Sequence, residues 1–151
     1  MKKTKVSVFT PTSGGRPEAL KLCCDYVDRQ TCTIHEHIIE EDGGTLAENL
    51  KVGLPKCTGD IIVVFEDDDH YKPEYVEWCV MMLEDRDLVG EGISRYYHMP
   101  TGNYIEHHTG PHRASLCNTA FRRDLVPLLA ECAVENLVGI DARFWQRASG
   151  S

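Results

Sequence analysis

Five consecutive residues, Ile61-Ile62-Val63-Val64-Phe65, are apolar without alternation, and the four that follow, Glu66-Asp67-Asp68-Asp69, are all carboxylates. Side chains of a strand point to opposite faces in turn. An unbroken apolar strand therefore needs both faces covered, which puts this segment at the centre of a largely parallel sheet between two layers of helices. Four adjacent carboxylates repel one another, and holding them at a sheet edge requires a cation or strong donors. A hard divalent ion, Mn²⁺ or Mg²⁺, meets that need with one or two carboxylates, water and substrate phosphate. The competing reading is a solvated acidic loop; the position directly behind the most apolar strand favours metal and substrate binding.

The same unit recurs around it. Lys5–Thr10 reads as a short buried strand that stops at Pro11, followed by a Ser/Gly loop over 12–16 and a helix opened by Pro17. Glu36–Glu40 is a second strand running into Glu41-Asp42-Gly43-Gly44, with a helix over Leu46–Leu54 and a turn at Thr58-Gly59-Asp60. A third helix is expected from Pro73. Three β-loop-α units in succession predict an α/β fold with a mostly parallel central sheet. Ligands of such sheets sit at the carboxyl ends of the strands, so the loops 10–16, 41–44 and 66–70 share one edge.

The second half is different. Leu88–His98 and Asn103–Thr109 are strand-like runs flanking Met99-Pro100-Thr101-Gly102, a hairpin turn. Ala120-Phe121 leads through Arg122-Arg123-Asp124 to an apolar helix, Leu125–Cys132, and a last helix spans about Gly139 to Arg147. Ala148–Ser151 reads as an unstructured end.

The 151 residues suit one domain, whose stretches 1–90 and 91–151 differ in character. The net charge of -8 argues against a chain that holds nucleic acid by neutralising phosphates. Residues 1–91 carry 19 acids and 10 bases, whereas 92–151 carry five acids, six bases and four of the seven histidines. No apolar run approaches the roughly 18 residues of a membrane span, and MKKTKVSVFTP lacks the apolar core of a signal peptide. Seven cysteines without a CxxC pair read as reduced, mostly buried thiols of a cytoplasmic protein.

The order VSVFTPTSGGRPEAL, IIEEDGG, AENLKVGLPKCTGDIIVVFEDDDHYKPEYVE resembles the nucleotide-sugar-binding half of the family 2 glycosyltransferases of GT-A fold, over about residues 4 to 83. In that family a first strand ends in a Pro-Thr loop, a second in an Asp-Asp-Gly type turn and a third in the DXD metal motif. The resemblance implies a hexosyltransferase-type enzyme dependent on manganese or magnesium. It implies that Pro11 and Thr12 border nucleobase and ribose, with Arg16 nearby on the donor, and that Asp42 bonds the base, uracil in a UDP-sugar. Asp67 would meet the ribose or metal shell, and Asp68 and Asp69 would offer metal ligands. For Asp42 a plain turn role stays open.

The resemblance implies a nucleotide-sugar-binding, donor half over 1–90 and an acceptor half over 91–151, and beyond residue 90 the likeness thins. Cys117-Asn118-Thr119-Ala120-Phe121-Arg122-Arg123 is similar to the segment that precedes the family's catalytic aspartate, and Gly139-Ile140-Asp141 to the aspartate motif itself. Asp141 is thus the candidate general base of an inverting displacement, with a helix N-cap as its alternative. His112 is a candidate metal ligand, ahead of His107 and His108; exposed loop histidines are the competing reading. Arg113, Arg122 and Arg123 suit either phosphate or surface ion pairs, and Phe144 and Trp145 suit helix packing or sugar stacking. The acceptor is a hydroxyl of a glycan, a polymer or a modified DNA base. About 60 residues after the donor half imply a shallow acceptor cleft, or one completed by another subunit, as in a homo-oligomer. A nucleotidyltransferase and a noncatalytic nucleotide-sugar-binding module are the rival readings. SGGR at 13–16 only faintly echoes the triphosphate loop of the former and lacks its lysine.

Overall fold

The computed structural model describes residues 3–41, 44–98, 100–110, 112–135 and 138–149. Its five-stranded central sheet has the order β2-β1-β3-β7-β4, built from β1 (Val6–Pro11), β2 (Glu36–Glu40), β3 (Ile61–Val64), β4 (Leu88–Gly90) and β7 (Thr119–Arg122). β1 pairs in parallel with β2 and β3, while β7 runs antiparallel to both β3 and β4, so four strands point one way and β7 alone runs against them. The helices are α1 (Pro17–Asp28), α2 (Leu46–Gly53), α3 (Tyr75–Met82), α4 (Val126–Glu135) and α5 (Ile140–Ala148).

β3 has the environment its composition demands. Ile62 and Val64 point into a core made with Phe9, Leu50, Leu54, Phe121, Leu129 and Phe144, whereas Ile61, Val63 and Phe65 point into another made with Val8, Cys23, Val76, Cys79 and Leu83. All five residues from Ile61 to Phe65 are buried. Each such side chain contributes about 1.5–3 kcal/mol of burial, so the strand that aims the acidic loop is among the hardest parts of the molecule to move. Thr45 caps α2, its Oγ1 accepting from the Glu48 amide at 3.2 Å.

Two expectations need correcting. The run Leu88–His98 is not one strand: β4 ends at Gly90, and a separate β5 (Ile93–His98) pairs antiparallel with β6 (Asn103–His108) in a two-stranded hairpin outside the main sheet. The chain is closely packed where β4 ends. A Cβ at Gly90 would lie 2.6 Å from the Ala114 Cβ and 2.7 Å from the Trp145 ring, so only glycine lets the chain pass there. As expected, Ala120-Phe121 leads through Arg122-Arg123-Asp124 into a helix, α4, and the stretch itself is a full strand inserted between β3 and β4. α5 also runs on to Ala148, with the Ser149 amide bonded to the Trp145 carbonyl at 3.0 Å.

Candidate functional site

The carboxyl ends of β1 and β3 are tied together by Thr12. Its amide donates to the Glu40 carbonyl at 2.9 Å, its carbonyl accepts from Asn49 Nδ2 at 2.8 Å, and its hydroxyl donates to Asp67 Oδ2 at 2.6 Å. Arg16, which precedes α1, donates through Nη2 to Asp67 Oδ1 at 2.7 Å and through Nη1 to Asp68. The Asp67 side chain is 1% exposed and lies between these two donors, so its charge is buried with a partner on each oxygen. Asp68 is half exposed. Pro11, Thr12, Arg16, Asn49, Asp67 and Asp68 line a cleft of about 220 Å³ at this strand edge.

A second cleft of about 440 Å³ adjoins it, sharing Leu46, Glu66 and Asp68 with the first. Here the two halves of the chain meet, because Glu66 and Asp69 face Cys117 and Asp141 across it. The Tyr71 hydroxyl makes the connection: it accepts from the Glu66 amide at 2.9 Å and donates to the Cys117 carbonyl at 3.1 Å, with its ring stacked on Phe65 at 3.7 Å. Burial pushes the Glu66 carboxyl up to about 7, with the charges of Asp69, Asp68, Asp67 and Asp141 adding to it. Burial also raises the Asp69 carboxyl, against a lowering contact from the Cys117 thiol, and the thiol itself is raised by burial and by its acidic neighbours.

Asp141 occupies the first turn of α5, where the helix dipole favours an acid. The cap of that helix is Gly139, at φ 74°, and not Asp141, so the N-cap alternative falls. One Asp141 oxygen accepts from the Ala142 amide at 2.7 Å, and Arg113 stands 3.7 Å away.

Glu66, Asp69 and Cys117 offer ligand atoms that all lie within 4.8 Å of one another, while Asp67 and Asp68 are engaged by Arg16. Two converging carboxylates with Asp68 alongside fit a hard cation. Of the expected site residues, Pro11, Thr12, Arg16, Asp67, Asp68, Asp69 and Asp141 are brought to one edge. His112 is exposed and lines neither cleft, and Asp42 lies outside the described residues. Arg122 fastens β7, donating to the Arg86 carbonyl at 3.3 Å. Phe144 packs edge-to-face on Phe121, and Trp145 Nε1 donates to Thr119 Oγ1 at 3.1 Å, so both belong to the core. Asn49, Tyr71 and Cys117 were not signalled by spacing; only the nearness of Cys117 to the Phe-Arg-Arg segment hinted at its place.

An α/β sheet with an acidic cleft at the carboxyl edge of its central strands defines a ligand-binding α/β protein of the open-sheet class. The chain matches the glycosyl transferase family 2 model over residues 29–139, and it belongs to that family. The match begins after Thr12 and Arg16 and ends before Asp141. No curated protein sequence gives a significant match. Among solved structures, A197 from STIV superposes with a TM-score of 0.62 at 15% identity, covering 96% of this chain and 78% of that one; at this identity the likeness is one of fold. Among the described residues no helix is long and apolar enough to cross a membrane.

Proposed function

We propose that the chain is an inverting, metal-dependent glycosyltransferase that takes its sugar from a nucleoside diphosphate donor, UDP-linked as the family resemblance implies. The observation that carries this reading is the joining of the two clefts: Asp141, from the far end of the chain, faces the acidic loop behind β3 beside the cleft of Thr12 and Arg16. The nucleoside lies in the first cleft, with Pro11 and Thr12 along it and Arg16 toward the diphosphate. Asp68 and Asp69 would hold Mn²⁺ or Mg²⁺, with Glu66 beside them, and the bound ion supplies positive charge next to the leaving diphosphate.

Asp141 orients the acceptor hydroxyl and takes its proton as the oxygen bonds to the anomeric carbon. The bond from that carbon to the phosphate oxygen breaks with its electron pair leaving on the nucleoside diphosphate. A single base on the side opposite the leaving group inverts the configuration. All seven cysteines are free, which suits a reducing compartment, and we place the enzyme in the cytoplasm.

The test is a thermal-shift panel of UDP- and GDP-sugars with and without Mn²⁺, followed by product analysis with the donor that stabilises most. Metal-dependent stabilisation and release of nucleoside diphosphate are expected. Stabilisation without any release would favour the noncatalytic module, and no stabilisation by any nucleotide sugar would remove the reading.

A further inference from the structure

A third cleft, of about 620 Å³, continues the groove beyond the second and is the largest of the three, yet nothing above uses it. The second and third clefts share Asp69, Tyr96 and Cys117, so Tyr96 stands on the ridge between them. The hairpin places it there by register. Ser94 turns inward and accepts from Asn118 Nδ2 at 2.9 Å, and Tyr96, two residues on, lies on the same face. The Tyr96 side is open: the residue is 57% exposed, and Ile105, directly opposite it on β6, is 70% exposed.

We infer that the third cleft is the acceptor subsite and that it takes a neutral saccharide, whose terminal hydroxyl passes Tyr96 into the cleft of Asp141. This rests on the proposed glycosyl transfer and adds the substrate class. Three features of the lining select that class. Tyr96 and Trp78 present aromatic rings, the surfaces that cover the C–H faces of a pyranose. Glu74, Glu91 and Asn118 stand among them as hydrogen-bond partners for hydroxyls. An apolar chain would leave those carboxylates desolvated and unpaired. The charge excludes a polyanion, because Asp69, Glu74 and Glu91 outnumber Lys72 and Arg95, and Arg95 is already bonded to Glu106 at 2.9 Å. A cleft of 620 Å³ also lies within the roughly 300–1,000 Å³ of ordinary ligand sites.

Trp78 is a built-in reporter, since Trp145 is buried and its indole is bonded to Thr119. Tryptophan fluorescence is titrated with cellotetraose, maltotetraose, chitotetraose and mannotetraose, without nucleotide or metal, and with a single-stranded oligothymidylate as the anionic counterpart. Saturable quenching by at least one neutral tetrasaccharide is expected, lost in Trp78→Phe. Tyr96→Ala, an exposed truncation, is expected to weaken that binding about tenfold, while Tyr97→Ala, on the opposite face of the hairpin, binds as the wild type does. The inference is overturned if no tetrasaccharide quenches, if Tyr96→Ala binds equally well, if the oligonucleotide binds in preference, or if the hairpin proves to be a dimer contact that Tyr96→Ala dissolves. Because nucleotide is absent, a chain that binds tetrasaccharide but no nucleotide sugar would keep the saccharide site in the third cleft and overturn the proposed function together with the acceptor role.

Discussion

The Arg16 guanidinium reaches across the sheet edge to the buried Asp67 carboxylate at 2.7 Å, joining the loop after β1 to the loop after β3. The same fork meets Asp68, so one cation holds two neighbouring acids in place. Contact with Asp68 is the main cause of the raised Arg16 pKa, with the charges of Asp67 and Glu66 adding to it against burial. Arg16→Ala should leave Asp67 with Thr12 alone and lower stability by about 1 kcal/mol, discounted for an arginine that is 46% exposed. Arg16→Lys should recover only part of this, because an ammonium cannot fork between two carboxylates. Urea unfolding of the three proteins checks it, and equal midpoints would count against the bridge.

Thr12→Val keeps shape and removes the hydroxyl that donates to Asp67 at 2.6 Å. A buried carboxylate oxygen then loses its partner, at a cost of about 1–3 kcal/mol. If Thr12 also borders the donor, as proposed, nucleotide binding measured by calorimetry falls as well. Loss of binding at unchanged stability would contradict the structural part.

Asp141→Asn should lower turnover about 10²–10⁴-fold, the usual worth of a positioned base. The amide oxygen can still accept from the Ala142 amide, so the melting temperature should stay within about 2 °C of the wild type. Steady-state kinetics beside a melt tests both halves of the statement, and unchanged turnover would remove the base from Asp141.

Glu66 makes stability depend on pH in a definite direction. Burial, then the charges of the neighbouring acids, lifts its carboxyl from 4.5 to about 7 in the folded protein, so the native state holds this proton more tightly than the unfolded chain does. The contribution is whole below 4.5 and is lost as the pH rises through about 7. Metal-free protein should therefore lose about 2 kcal/mol between about pH 5.5 and pH 8 from this group, and Glu66→Gln should flatten that slope. Melts in a chelator across this range decide it.

The acidic pair should also govern metal response. Asp69→Asn removes charge from the one grouping of three converging ligand atoms among the described residues. Stabilisation of the nucleotide complex by Mn²⁺ is expected to fall at least about tenfold in apparent affinity, as read by thermal shift against metal concentration.

The architecture of the first 90 residues was legible because its signals are local. An apolar run without alternation means two covered faces, and Ile61–Phe65 has them. Pro17 and the Gly-rich loops mark where helices begin. The second half of the chain resisted because its decisions are made at a distance. Gly90, where β4 ends, has no room for a side chain beside Ala114 and Trp145, and neither of these is near in sequence. β7 is a four-residue strand whose place between β3 and β4 depends on ladders to both. Cys117 reaches the acidic loop through a phenol 46 residues away, which no spacing rule detects. Of the seven acids at 40–42 and 66–69, Glu40 proves to be buried and paired with Lys56, a structural ion pair within the acidic edge.

The hairpin closes on itself where the Thr109 amide meets the Gly92 carbonyl at 2.9 Å, and its exposed strands contribute little to either core. It is a two-stranded sheet of its own, joined to the body by Ser94, which accepts from Asn118 Nδ2 at 2.9 Å. On the proposed reading, altered side chains on this hairpin would change what the third cleft admits while both cores of the main sheet keep their packing.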